Sequence, residues 1–151
     1  MPDSSSKISF SYNPVARRRI ATFSGTLSDA DLMGAYAELL RDPDYDHGAD
    51  DLVDMRAVEH LGVTRTGLEN IMSLFAPVDQ LGIPTRLAIV APGDQVYGVS
   101  VMYQTLRGDD VPEQVEVFRE MNEAEDWLNR GAGERAKGRA ANARGEKRRS
   151  T

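Results

Sequence analysis

The segment Leu87-Ala88-Ile89-Val90-Ala91, set between Pro84 and Pro92, constrains the fold more than any other stretch of the chain. An unbroken apolar run this short offers no polar face to water. It therefore reads as a strand covered on both sides, the pattern of a parallel sheet clothed by helices. It is also far shorter than the ~20 apolar residues that cross a bilayer.

The flanking segments supply what such a strand requires. Lys7–Tyr12 alternates, with Ile8, Phe10 and Tyr12 on one face, and Arg19–Ser24 reads as a second strand. The Asn13-Pro14 turn between them predicts an antiparallel hairpin, closed by Gly25. Ser28 is a helix N-cap followed by Asp29 and Asp31, whose charges suit the positive end. Leu32, Tyr36, Leu39 and Leu40 recur at helical spacing until Asp42-Pro43 stops the helix.

A loop then runs through Gly48, and Leu52-Val53-Asp54-Met55 reads as a short third strand. The capping-box spacing of Thr66 and Glu69 predicts a long helix over 66–80, with Leu68, Ile71, Met72, Phe75 and Val78 inward. Past the central strand, Pro92-Gly93-Asp94 turns into a helix that directs Val96, Val99, Met102, Tyr103 and Leu106 inward. Gln114–Phe118 is a fifth strand, and Asn122 with Glu125 caps a short last helix burying Ala124, Trp127 and Leu128.

The resulting order, β-β-α-β-α-β-α-β-α, predicts an α/β domain. Its sheet is mainly parallel, four- to five-stranded, opened by an antiparallel hairpin and faced by helices. One such domain over residues 7–130 fits a chain of 151 residues. Residues 1–6 read as a flexible N-terminus without a secretion signal. Residues 131–151 carry no apolar side chain larger than alanine and read as a flexible tail.

The net charge of −6 conceals an asymmetry: the tail holds seven basic residues against two acidic ones, while the rest holds eleven against twenty-two. An acidic body repels nucleic acid and anionic membranes. The tail alone offers weak, non-specific contact with a polyanion, and it has no aromatic residue to stack on bases. The absence of cysteine excludes disulfides, thiolate catalysis and Cys-ligated zinc. The expected location is cytoplasmic.

Several short motifs together resemble the SpoIIAA-like branch of the STAS superfamily across residues 7–130. They are Gly25-Thr26-Leu27-Ser28 before the first helix, Asp42-Pro43-Asp44-Tyr45 after it, and Asp54-Met55-Arg56 after the third strand. Ala88-Ile89-Val90-Ala91-Pro92 with Asp94 and Tyr97-Gly98, and Val117-Phe118-Arg119 leading to Ala124-Trp127-Leu128, complete the set. The resemblance implies a STAS-like sheet flanked by helices and no common activity. Relatives include regulatory modules such as anti-sigma factor antagonists, and some SpoIIAA-like domains resemble lipid-binding SEC14 folds. The antagonists carry an Asp-Ser-Ser-Gly-Leu run whose serine is phosphorylated; the corresponding run here is Thr64-Arg65-Thr66-Gly67-Leu68. Arg65 stands at the acceptor position, so the anti-sigma switch is not expected, and Thr64 and Thr66 are the remaining candidates for phosphorylation.

Ligands of open parallel sheets bind outside the carboxyl ends of the strands, which here would gather Thr26, Ser28, Asp54, Arg56, Thr64, Thr66, Asp94 and Tyr97. Asp54 and Arg56, two apart, present either an anion or peptide site or a structural ion pair; the ion pair is favoured. The acidic run with Asp44, Asp46, His47, Asp50 and Asp51 lacks the ligand spacing of a calcium loop and the donors for zinc, so it reads as a solvated loop and no metal is called for. His60 beside Glu59 has no nucleophile placed near it, and no glycine pattern matches a phosphate or dinucleotide loop, so no cofactor is called for either.

The functional expectation is a non-enzymatic regulatory or protein-interaction module. Its partner would be another protein or a second copy, met through Thr64–Val78, where Leu74 and Phe75 widen the apolar stripe towards an exposed patch. The alternative is a carrier of a small apolar or acyl ligand held between the sheet and Phe75, Met102 and Tyr103. A small hydrolase or transferase using Asp54, His60 or Tyr97 is the weaker alternative.

Overall fold

A computed structural model describes residues 7–149, so the expected flexible segment 1–6 and the last two residues lie outside it. The elements follow the order β1 (Ile8–Asn13), β2 (Arg18–Ser28), α1 (Asp29–Arg41), β3 (Asp50–Gly62), α2 (Arg65–Asp79), β4 (Thr85–Val90), α3 (Asp94–Arg107), β5 (Glu113–Phe118) and α4 (Met121–Arg149). The five strands form one sheet in sequence order. β1 and β2 pair antiparallel, and every later pair is parallel.

That order dictates the layering. Each crossover steps the chain one strand further in the same direction, and crossovers of one hand then place α1, α2 and α3 on the same face. Strand alternation sorts the core accordingly. Ala21, Phe23, Val53, Met55, Leu87, Ile89 and Val115 pack in the larger core that takes in Leu32, Leu68, Ile71 and Val96 from the three helices. Their neighbours Leu52, Ala88 and Val90 point the other way, where Ala124 and Leu128 of α4 cover them. The last helix is therefore what closes the sheet's second face.

Three elements differ from expectation. β2 does not end at Gly25: the glycine adopts φ 73°, and a register shift between Gly25 and Thr26 carries the strand on to Ser28. Glycine supplies at such a bulge a backbone angle that side chains disfavour. β3 is longer than Leu52–Met55, because Ala57–Gly62 pairs with Ser24–Ser28 beyond the point where β4 stops at Asp54. With no strand paired on its other side, where the Gln95 side chain instead bonds the Leu61 N–H and carbonyl, that ribbon tolerates exposed Arg56, Glu59 and His60, which masked its strand pattern. The final helix is longer than the short one expected and reaches Arg149. Gly131 lies against the Arg86 side chain, Glu134 pairs with Arg86 at 2.9 Å, and Arg135 pairs with Asp50.

The helix starts also shift. Thr64, not Thr66, caps α2: its hydroxyl accepts from the Gly67 N–H at 3.1 Å, while Glu69 faces Arg65. Ser28 caps α1 as expected, in a capping box completed by the Asp31 carboxylate, which accepts from the Ser28 N–H at 2.9 Å.

Candidate functional site

Strand alternation that sends Ala21 and Phe23, Val53, and Val115 into the larger core sends the first residue of each series the same way. Those residues are Arg19, Asp51 and Glu113, at the amino ends of β2, β3 and β5. Three ionisable groups thus lie under the helical layer, and each has found a partner, as burial of charge demands. Arg19 and Asp51 are register neighbours, joined by bonds of 2.7 and 3.1 Å; Arg19 also donates to the Tyr45 hydroxyl at 3.1 Å and stacks over its ring. Arg107, from the last turn of α3, donates to both Asp79 oxygens at 2.7 and 2.9 Å and to Glu113 Oε1 at 3.0 Å.

Arg19, Tyr45, Asp51 and Glu113 bound one end of a cavity of about 80 Å³ between the sheet and α1–α3. Its body is apolar, walled by Phe23, Leu32, Leu68, Ile71 and Ile89 among others. At the polar end stand Arg19, Asp51 and Glu113 with Tyr36, Tyr45 and Tyr103. The Tyr36 ring is held edge-on by Phe10, Phe23 and Phe75, with centroids 5.3 to 6.4 Å apart. Neither the Tyr36 nor the Tyr103 hydroxyl makes a hydrogen bond among the described residues, although both side chains line the cavity. A smaller hollow of about 20 Å³ shares Tyr45, Asp51, Phe75 and Glu113 with the cavity and extends it to His47 and Ile83.

Burial sets the electrostatics. It pushes Glu113 up to about 7, with Arg107 pulling the other way, and it raises Asp51 against the opposing pull of Arg19. Burial likewise drives Tyr36 and Tyr103 far above the usual phenol range. Both tyrosines are neutral hydroxyls at any working pH. They can donate one hydrogen bond each and accept others.

The residues expected at the carboxyl edge do not converge with this cavity. Asp54 and Arg56 form the favoured ion pair, at 2.9 and 3.0 Å. Ser28 is committed to its capping box. Thr64 donates its hydroxyl to Asp29 at 2.6 Å while accepting from Gly67, so a phosphate there would confront a carboxylate. Thr26 and Thr66 are exposed. Asp94 receives Arg119 at 2.6 Å, and the same guanidinium stacks on the Tyr97 ring 4.0 Å away. His60 is exposed on the β2–β3 ribbon rather than in a loop.

Two further expectations are corrected. The acidic run is not a solvated loop throughout: Asp50 is 2% exposed and accepts from the Arg86 N–H at 2.9 Å, while Asp46 is clamped by Arg17 and Tyr12. Leu74 and Phe75 do not make an exposed patch, since both pack against the larger core. Among the cavity-facing residues expected, Phe75 and Tyr103 line it, whereas Met102 is 39% exposed on the outer side of α3. Arg19 and Glu113 escaped the sequence reading and Asp51 entered it only in the acidic run, yet one signal could have found them: charged residues in phase with the inward apolar ones.

Against known proteins, no family model and no curated protein matches the sequence. A crystal structure at 2.25 Å resolution of an uncharacterized DUF3478-family protein from Shewanella loihica PV-4, with a SpoIIAA-like fold, is similar at TM-score 0.51 and 16% identity. The similarity covers 80% of this chain and 91% of that one. The fold is SpoIIAA-like. No helix among the described residues is long and apolar enough to cross a membrane.

Proposed function

We propose that the chain is a cytoplasmic, non-enzymatic domain that binds a small apolar molecule in the cavity beneath α1–α3. The observation that carries this reading is the pairing of an apolar cavity with two tyrosine hydroxyls that have no hydrogen-bond partner. Neither hydroxyl is sealed off, the buried side-chain polar atom without a partner among the described residues being Arg18 Nε, so both stay accessible to the polar group of a ligand. A water needs roughly 10–15 Å³ by the same measure, so the space admits roughly half a dozen heavy atoms. Short alkyl or small cyclic compounds fit better than a long acyl chain.

The test is ligand-observed NMR with isopentanol on the wild type and on Val99→Phe, which projects a ring into the cavity. Saturation transfer to the wild type and its loss in the folded variant are expected. Equal transfer to both proteins would refute the cavity as the site.

A second reading keeps the protein-interaction role but moves its surface. Leu81 and Ile83, in the α2–β4 connection, are 55% and 38% exposed. Self-association through this corner predicts a concentration-dependent dimer by sedimentation, abolished by Leu81→Lys with Ile83→Lys. A monomer at all concentrations would remove that reading.

A further inference from the structure

The cavity reading can be carried to the chemistry of the occupant's head group. Arg19 at the polar end, and Arg107 bonded to Glu113, each have four of their five N–H groups in use. Arg19 uses Nε and Nη2 on Asp51 and Tyr45, and its Nη1 donates to the Asp46 carbonyl at 3.4 Å. Arg107 uses all three nitrogens on Asp79 and Glu113. Each keeps a single N–H, on Nη1, so a carboxylate could gain the paired bonds it prefers only by displacing a protein carboxylate.

Acceptors, by contrast, are left over. Both bonds from Arg107 to Glu113 end on Oε1, so Oε2 has no partner among the described residues. The Tyr36 and Tyr103 hydroxyls are also without one. Charge points the same way: Asp51, Asp79 and Glu113 outnumber Arg19 and Arg107 by one. We propose that the cavity selects a small primary amine, whose ammonium group meets Glu113 Oε2 and the hydroxyls of Tyr36 and Tyr103 while its alkyl body fills the apolar space. A primary ammonium has three donors, and Glu113 and the two hydroxyls can each accept one. Burial, which raises Glu113 to about 7 against the pull of Arg107, still leaves it ionised at pH 8.

This inference rests on the cavity reading, and four probes of one shape separate the two: isopentylamine, isopentanol, isovalerate and 2-methylpentane. Affinities by NMR titration at pH 8, where Glu113 is ionised, are expected to favour isopentylamine at least tenfold over isopentanol, with isovalerate weakest. Glu113→Gln should bring the amine down to the alcohol's affinity. Tyr103→Phe, the milder variant, should weaken the amine about threefold. Isovalerate binding as tightly as the amine, or amine affinity unaffected by both substitutions, would overturn the proposal while the cavity reading stands. Failure of all four probes to bind would overturn both.

Discussion

Replacing Gly67 by alanine in α2 should destabilise the protein, the opposite of what the same change does in an ordinary helix. Glycine inside a helix is worth about 1 kcal/mol less than alanine, so the intrinsic effect is a gain of that size. Here a methyl group would overlap the Asp29 carboxylate. That carboxylate is not free to swing aside without loss. It accepts from the Thr64 N–H at 2.8 Å and the Thr64 hydroxyl at 2.6 Å, and the same hydroxyl caps α2 through the Gly67 N–H.

Hydrogen bonds to charged groups contribute about 1.5–3 kcal/mol each, and loss of a cap costs about 1 kcal/mol. Losing one charged bond and loosening the cap removes about 3 kcal/mol, which leaves a net destabilisation of about 2 kcal/mol after the helical gain. For a chain of this size that is a fall in Tm of roughly 4–8 °C. Thermal unfolding followed by Trp127 fluorescence and by circular dichroism would measure it. In an Asp29→Ala background the three atoms nearest to the methyl are gone, so Gly67→Ala should become neutral or stabilising. A higher Tm for Gly67→Ala in the wild-type background would refute the claim that this contact fixes the junction of α1 and α2.

Two other outcomes follow from the buried charges. Glu113 binds its proton more tightly folded than unfolded, so its contribution is fully present below the ordinary glutamate range and is lost as pH climbs through about 7. Wild-type stability relative to Glu113→Gln should therefore fall by up to about 3 kcal/mol between pH 4 and 8, read from urea midpoints; parallel profiles would contradict it. Arg107→Met should cost about 3–5 kcal/mol in urea unfolding, because it strands the carboxylates of Asp79 and Glu113 without their cation. A loss below 1 kcal/mol would show that neither acid depends on Arg107 in the folded protein.

The amino-acid sequence by itself determined the sheet and its direction. Local patterns sufficed there: the apolar run at Leu87–Ala91 requires cover on both faces, Asn13-Pro14 turns a hairpin, and Ser28 with Asp31 starts a helix through groups three residues apart. The ion pair of Asp54 and Arg56 was legible for the same reason, since both partners lie on one short stretch. What only the tertiary structure decided are the contacts between residues far apart in the chain. Thr64 became the cap of α2 because Asp29, thirty-five positions earlier, holds it, a restraint no spacing rule contains. Arg19, Asp51 and Glu113 meet the same cavity because the parallel sheet gathers the amino ends of β2, β3 and β5 at one edge, and alternation turns all three towards the helices. Gly131 and Arg135, in a segment with no apolar residue larger than alanine, gained their place from Arg86 and the buried Asp50. Patterns along a chain report which face a residue prefers; they do not report which buried charge or unfilled space awaits it across the sheet.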